Sequence, residues 1–292
     1  MKPCFLAAAA ALLVATAPAG AQSVTLTHVH GLAFTADGKQ LFIPSHHGLA
    51  IYSEGKWSVA PGPRHDYMGF AASEDRFYSS GHPAPGSGLV DPFGLMRSRD
   101  GGRTWDKLGL QGESDFHVLA VGYRTNAVYV FNPVPNSRMK TPGIYSTQND
   151  GFGWVPAAAR GLAGQIVALA AHPTDARRCC DHSRRRVRLE GQRQFVRAAR
   201  RGRGLCGALR PGRPTPVVLR PRQRATPGPR RARRRGRDEI KLPSLARDAV
   251  AYIAQSQATS GVYAIATFER SVYLTADGGK TWRRIAERGR TE

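Results

Sequence analysis

Short apolar runs alternate with polar turns along most of the chain. Each run is a few residues long and ends near Gly, Asp, Asn or Pro, a pattern typical of β-strands. Four stretches begin alike, with an apolar strand and a polar turn, and the first three continue into a second β-rich run: HVHGLAFTADGKQLFIP, DYMGFAASEDRFYSS, FHVLAVGYRTNAVYVFN and QIVALAAHPTDARR. A third strand is predicted in GLAIYS, GLMRSR, GIYSTQ and SVYLTA. One further strand would complete a unit of four.

A polar turn that ends on tryptophan follows the third strand of each unit. Two copies are nearly identical, RSRDGGRTW ending at Trp105 and LTADGGKTW ending at Trp282, and two are looser, TQNDGFGW ending at Trp154 and YSEGKW ending at Trp57. The first three tryptophans are 48 and 49 residues apart, and the fourth lies 128 residues beyond the third, which leaves room for three shorter units. This period predicts an all-β fold, a six-bladed β-propeller, with seven blades as the less favoured count.

Each residue type in this turn has its own role. Asp100 or Asp277 can accept hydrogen bonds from backbone N–H groups of the turn. Gly102 or Gly279 supplies a positive φ angle, and the tryptophan packs a large apolar ring between strands. The order Ser/Thr-x-Asp-x-Gly-x-Thr-Trp resembles the Asp-box, or bacterial neuraminidase repeat.

The resemblance rests on three copies of the turn, in which these residues match in whole or in part: Ser98, Asp100, Gly102, Thr104, Trp105, Thr147, Asn149, Gly151, Trp154, Thr275, Asp277, Gly279, Thr281 and Trp282. It implies a propeller in which the Asp-box is structural and lies away from the functional face. Sialidases, sortilin-like receptors, photosystem assembly factors and many exported bacterial proteins resemble one another at this level. The resemblance therefore predicts the fold and leaves the function open.

The first 21 residues have the features of a signal peptide. Lys2 gives a basic start, FLAAAAALLVATA an apolar stretch too short to span a membrane, and Ala19-Gly20-Ala21 a small-residue cleavage site. We expect an exported protein, periplasmic or secreted, that is monomeric and has no membrane span. Residues 22–176 are predicted to form the first three blades and the start of the fourth, and residues 238–292 the final blade or blades.

Residues 177–237 carry most of the chain's net charge of +22, with 22 arginines, no lysine and two acids. The segment is also rich in Gly, Pro and Ala, and all four residue types have GC-rich codons, so we interpret it as a GC-rich gene translated out of frame and expect it to be disordered. One alternative is a basic insert that binds nucleic acid through phosphate contacts, and another is a solvated loop without a role. Because the rest of the chain is nearly neutral, we do not expect nucleic acid to be the partner.

Histidines concentrate at one end of the predicted blades. In an antiparallel meander, the start of strand one and the end of strand two share one end, and the tryptophan turn lies at the other. Six of the nine histidines fall at the first end, and we expect them to surround the propeller axis and bind a small-molecule, glycan or protein ligand. The predicted site residues are His28, His30, His46, His47, His82, His117, Asp66, Met68 and Asp115.

Aligned strands place His30, Met68 and His117 at equivalent positions, which makes them a candidate metal site. Histidine with methionine suits copper, and histidine with carboxylate suits zinc. Asp66 and Asp115 are candidates for the carboxylate pair of a glycoside hydrolase.

The sequence lacks two features that sialidase activity requires. By resemblance, a sialidase has an arginine in the first blade, where this chain has LFIP at positions 41–44, and a tyrosine paired with a glutamate, whereas Tyr67 has no such partner in the sequence. A binding or assembly module is therefore the favoured function, and a sialidase-like glycoside hydrolase is the alternative.

Overall fold

The computed structural model describes residues 23–157, 166–176, 179–181, 218–220, 239–245 and 247–291. These residues form an all-β β-propeller with four complete blades, each an antiparallel meander of strands in chain order. The first blade contains β1 (Ala33–Phe34), β2 (Gln40–Ser45), β3 (Gly48–Ser53) and β4 (Lys56–Val59). The second contains β5 (Asp66–Ala72), β6 (Phe77–His82), β7 (Leu95–Ser98) and β8 (Asp106–Gly109). The third contains β9 (Leu119–Val121), β10 (Val128–Asn132), β11 (Gly143–Thr147) and β12 (Val155–Pro156).

Two short sheets follow the third blade. They are the antiparallel pair of β13 (Leu169–Ala171) with β14 (Cys179–Asp181) and the parallel pair of β15 (Val218–Arg220) with β16 (Glu239–Lys241). The last blade has five strands, β17 (Val250–Gln255), β18 (Tyr263–Thr267), β19 (Val272–Thr275), β20 (Arg283–Glu287) and β21 (Arg290–Thr291). No helix within these described ranges is long and apolar enough to cross a membrane.

Apolar side chains fill the spaces between consecutive blades. Phe42 of the first blade lies 4.8 Å, between ring centroids, from Phe77 of the second. Between the second and third blades, Tyr78 and Val130 belong to one buried cluster. The innermost strands are neighbours in the order β17, β1, β5, β9 and β13, so they line the axis. The core is therefore a series of layers between sheets.

The two ends of the described chain meet in the last blade. Thr25 pairs with Arg290 in an antiparallel bridge, and the Leu26 N–H donates to the Gly289 carbonyl (2.8 Å). Across the same junction, Trp57 Nε1 of the first blade donates to the Ile285 carbonyl (3.1 Å). These bonds join the first blade to the last, as a closed ring requires.

The described residues contain four complete blades, where the sequence predicted six, with seven as the alternative. The missing strands would fall in residues 177–237, which have arginine where blade strands need apolar side chains. Most of this segment, and the predicted signal peptide, lie outside the described residues. The parallel pairing of β15 with β16 departs from the antiparallel pattern of the complete blades. β16 nevertheless packs on the last blade, because Trp282 Nε1 donates to the Lys241 carbonyl (2.7 Å).

Three of the four tryptophan turns, those ending at Trp105, Trp154 and Trp282, share one hydrogen-bond pattern. In the second blade, Gly102 N–H donates to Ser98 Oγ (2.8 Å) and Thr104 N–H donates to Asp100 Oδ1 (3.0 Å). The last blade repeats both bonds at the same spacing, and the third repeats them with Asn149 in the acid position. Trp105 then stacks on Tyr67 at 4.8 Å between ring centroids. Each of these three turns thus bonds its own backbone and packs its tryptophan against a buried apolar cluster.

Candidate functional site

Strand register separates the histidines from the tryptophan turns. In the second blade, Asp66 pairs with His82 at one end of the sheet, whereas Phe77 pairs with Ala72 and Ser98 at the other. Ser98 begins the tryptophan turn. The starts of the innermost strands and the tryptophan turns therefore lie at opposite ends of this blade, and the other complete blades have the same strand order.

Three imidazoles of the first blade converge, and we call His28, His30 and His46 the histidine triad. Their ring centroids are 4.7–5.3 Å apart, and one ligand atom from each lies within 4.8 Å of the others. Residues 28 and 30 share a face of an extended segment. The His30 N–H donates to the Pro44 carbonyl (3.1 Å), which brings this segment to the end of β2, next to His46.

Asp66 of the second blade contacts two members of the triad. Its Oδ1 is 3.4 Å from His30 Nε2, and its Oδ2 is 3.2 Å from His46 Nδ1. The Asp66 side chain is only 14% exposed. A nearly buried carboxylate therefore lies against a group of imidazoles.

Asp115 organises a second group beside the triad. Its Oδ2 is 2.6 Å from His117 Nε2 and 3.1 Å from His82 Nε2. The other ring nitrogen of His82 lies 2.6 Å from Asp91 Oδ1. Asp91 was missed by sequence reasoning, because it lies in a Gly- and Pro-rich connection that has no strand periodicity. The contact between Asp91 and His82 depends on the conformation of this loop, which the sequence does not give.

The surroundings give the histidines different proton affinities. Burial, helped by the neighbouring imidazoles, lowers the pKa of His30 to about 4 although Asp66 opposes the shift. The hydrogen bond to Asp115 raises the pKa of His117. For His82, burial acts to lower the pKa, but Asp91 and Asp115 outweigh it and the pKa is raised. Near neutral pH, His30 is therefore an uncharged imidazole, whereas His82 and His117 hold a proton more readily.

Two predicted site residues lie apart from these groups. His47 is exposed, and its backbone N–H donates to Ser45 Oγ (3.5 Å). Met68 is buried within β5, where its carbonyl accepts a hydrogen bond from Ser79 Oγ (2.8 Å). His117 pairs with Asp115, so the three rings that converge differ from the predicted metal set of His30, His117 and Met68.

A cavity of about 230 Å³ lies between the innermost strands, with His30 and His117 in its wall. Farther along the same strands, Gln255 and Gln257 also line it. Beside the histidines, three polar atoms are buried without a hydrogen bond: His30 Nε2, whose residue lines the cavity, and Asp66 Oδ1 and Asp115 Oδ1, whose residues do not line it.

Comparison with known proteins supports the fold. No family model and no curated protein matches the chain. Among solved structures, a GH74 enzyme of Niastella koreensis aligns with a TM-score of 0.50 at 12% identity, covering 91% of this chain and 46% of that one. YCF48 bound to D1 peptide aligns with a TM-score of 0.47 at 15% identity, covering 90% and 84%. At 12% identity the likeness to the GH74 enzyme concerns the fold alone, and the chain spans about half the length of that enzyme.

We expect the Asp115 group to make stability depend on pH. His82 and His117 have raised pKa values in the folded protein, so their stabilising effect is complete below their unfolded pKa of about 6.5 and is lost as pH rises through the folded values. Asp115→Asn should reduce this component, since Asp91 still holds His82, and should flatten the fall in unfolding free energy as pH rises above about 6.5. The imidazoles are 39% and 62% exposed, so the component should stay below about 1 kcal/mol.

Urea unfolding at several pH values measures this dependence. Asp106→Asn is a matched control, because Asp106 pairs with Arg97, whose charge does not change in this range. The expectation is wrong if Asp115→Asn retains the full pH dependence of the wild type.

Proposed function

We propose that this chain is a ligand-binding β-propeller that takes a polar ligand at the histidine end of its axial cavity. The observation that carries the proposal is the Asp115 Oδ1 oxygen, which is buried without a hydrogen bond, together with Asp66 Oδ1 and His30 Nε2, which lie 3.4 Å apart and form no hydrogen bond with each other. Buried polar atoms in folded proteins are nearly always hydrogen-bonded, so a ligand that donates to the two carboxylate oxygens would supply bonds that the chain does not make. Two of the three are carboxylate oxygens, which favours a ligand with hydrogen-bond donors, such as a sugar, an amine or the side chains of a protein.

We also propose that the tryptophan turns are Asp-boxes and that the complete ring has six blades. The repeated hydrogen bonds from Gly102 and Thr104 support the first statement. The two short sheets, β13–β14 and β15–β16, supply one candidate for each of the two further blades. We retain the proposals that residues 1–21 direct export to the periplasm or the medium, and that the protein is a monomer.

For residues 177–237 we propose out-of-frame translation. The nucleotide sequence across this segment, read in all frames, is then expected to contain an Asp-box-like turn. The alternative, a nucleic-acid-binding insert, requires salt-dependent DNA binding that disappears when the segment is deleted.

A glycoside hydrolase that uses Asp66 and Asp115 is the less favoured function. Hydrolysis needs one carboxylic acid that keeps its proton until it is transferred to the leaving group. Although burial opposes ionisation of Asp115, the hydrogen bond from His117 prevails and lowers the pKa of this carboxyl. If turnover of any glycoside is lost in Asp66→Asn or Asp115→Asn, the hydrolase replaces the binding module.

Thermal unfolding against a ligand panel tests the binding function. We suggest neutral monosaccharides, amino sugars, polyamines and short peptides as probes. A compound that binds the folded state, present at a hundred times its Kd, stabilises the protein by about 2.7 kcal/mol. A binder should therefore raise the midpoint temperature of wild-type unfolding by several degrees. The shift should vanish in the double variant His30→Ala/His117→Ala and persist in the control His47→Ala. The proposal is wrong if no compound raises the unfolding midpoint of the wild type, or if each compound raises the midpoints of the wild type and the double variant equally.

A further inference from the structure

We propose that the histidine triad, His28, His30 and His46, binds a single divalent transition-metal ion, with zinc as the ion that its chemistry fits best. The inference rests on the proposed function, because the ion would form part of the same ligand site. The carrying observation is that a ligand atom from each of the three rings lies within 4.8 Å of the others. Around tetrahedral zinc, nitrogens at about 2.05 Å from the metal are roughly 3.4 Å apart, so small side-chain rotations would close the triad on an ion.

The backbone already positions two of the three residues. His30 is held on β2 by its hydrogen bond to Pro44, and His46 begins the turn directly after that strand. His28 is exposed, so it can rotate toward the ion at little cost. The triad thus combines positioned ligands with one adjustable ligand.

Asp66 supplies the charge and the orientation that such a site needs. Its two oxygens lie 3.4 Å from His30 Nε2 and 3.2 Å from His46 Nδ1. Asp66 is thus close enough to accept a hydrogen bond from one nitrogen of a ring, which would leave the other nitrogen for a metal, as in the common carboxylate–histidine–zinc arrangement. The buried negative charge of Asp66 also offsets part of the charge of the cation. His117, the next histidine along the cavity, is already paired with Asp115.

The ligand set selects the kind of ion. Imidazole nitrogens bind zinc and copper well, whereas magnesium and calcium prefer oxygen ligands. Asp66, rather than Met68, contacts the triad, and histidine with carboxylate suits zinc. Three protein ligands leave one coordination position open. Because His30 lines the cavity, that position is available to an oxygen atom of a ligand bound there.

Isothermal titration of the full-length, chelator-treated protein with ZnCl₂ tests the inference. We expect one equivalent of zinc to bind, and MgCl₂ to give no binding. His28→Ala should weaken zinc binding by about 100-fold or more, and since His28 is exposed, the loss cannot be attributed to unfolding. His47→Ala, the exposed neighbour of His46, is the matched control and should bind zinc as the wild type does. His117→Ala should also retain binding.

Cobalt substitution adds a direct readout. Co²⁺ in the triad should give visible absorption that is absent from His28→Ala and His46→Ala. No zinc binding, equal loss in His47→Ala, or full binding by His28→Ala would each overturn the inference. If the metal-free protein still responds to the ligand panel while zinc does not bind, the metal site is wrong and the ligand site stands. If zinc binds but the panel gives no response in either form, the metal site stands and the proposed function fails.

Discussion

Replacing Gly69 with alanine is expected to lower the free energy of unfolding by roughly 3 kcal/mol or more. Gly69 lies in β5 at a φ of +53°, within a register shift between Met68 and Ala71. A Cβ atom there would overlap the backbone carbonyl oxygen of Phe116 in the third blade and would lie 3.1 Å from the Cβ of Leu119. Backbone atoms between packed sheets cannot move aside as a flexible side chain can, so the second and third blades would have to separate.

A second glycine separates the steric effect from the conformational one. Gly278 also has a positive φ, +77°, but a Cβ there would meet nothing within 4 Å. Gly278→Ala should therefore cost only the left-handed backbone conformation, about 1–2 kcal/mol. Urea unfolding of both variants gives the comparison. If Gly69→Ala costs no more than Gly278→Ala, the second and third blades do not approach each other as closely as described.

The repeating part of the fold could be predicted because each unit carries its own local signals. The turn from Ser98 to Trp105 specifies its hydrogen bonds through residues within a few positions of one another, and the same order at Thr275 to Trp282 gives the same bonds. Alternating strand direction then placed the histidines and these turns at opposite ends. The blade count could not be checked in the same way, because residues 177–237 lack this pattern.

Which histidines form the triad depends on distances in the folded protein, and these cannot be read from equivalent positions in the sequence. His30 and His117 occupy equivalent positions in different blades, yet the ring that reaches His30 belongs to His46, across a hydrogen bond to Pro44. His47 is adjacent to His46, but the two residues lie in a tight turn and only His46 joins the triad. Strand periodicity gives no information about residues in turns, which is why both histidines were predicted as site residues.

Tyr67→Ala is expected to cost about 4 kcal/mol of unfolding free energy, the range found when a large buried aromatic ring is removed. The Tyr67 side chain is fully buried, and its ring stacks on Trp105 with an interplanar angle of 25°. Its hydroxyl donates to the Pro63 carbonyl (2.9 Å). Removal of the ring would leave a cavity between the first two blades and would take away the packing surface of a tryptophan turn.

Tyr67→Phe separates packing from chemistry. It keeps the ring and removes one hydrogen bond, so it should cost about 1 kcal/mol, measured by the same urea unfolding. Burial raises the pKa of Tyr67, so its hydroxyl is a neutral hydrogen-bond donor within the core rather than a nucleophile. Tyr67→Phe should therefore leave both the zinc affinity and the ligand-panel response at wild-type levels. Loss of either response at retained stability would mean that the hydroxyl takes part in the site, and would return Tyr67 to the catalytic role that a sialidase-like enzyme requires.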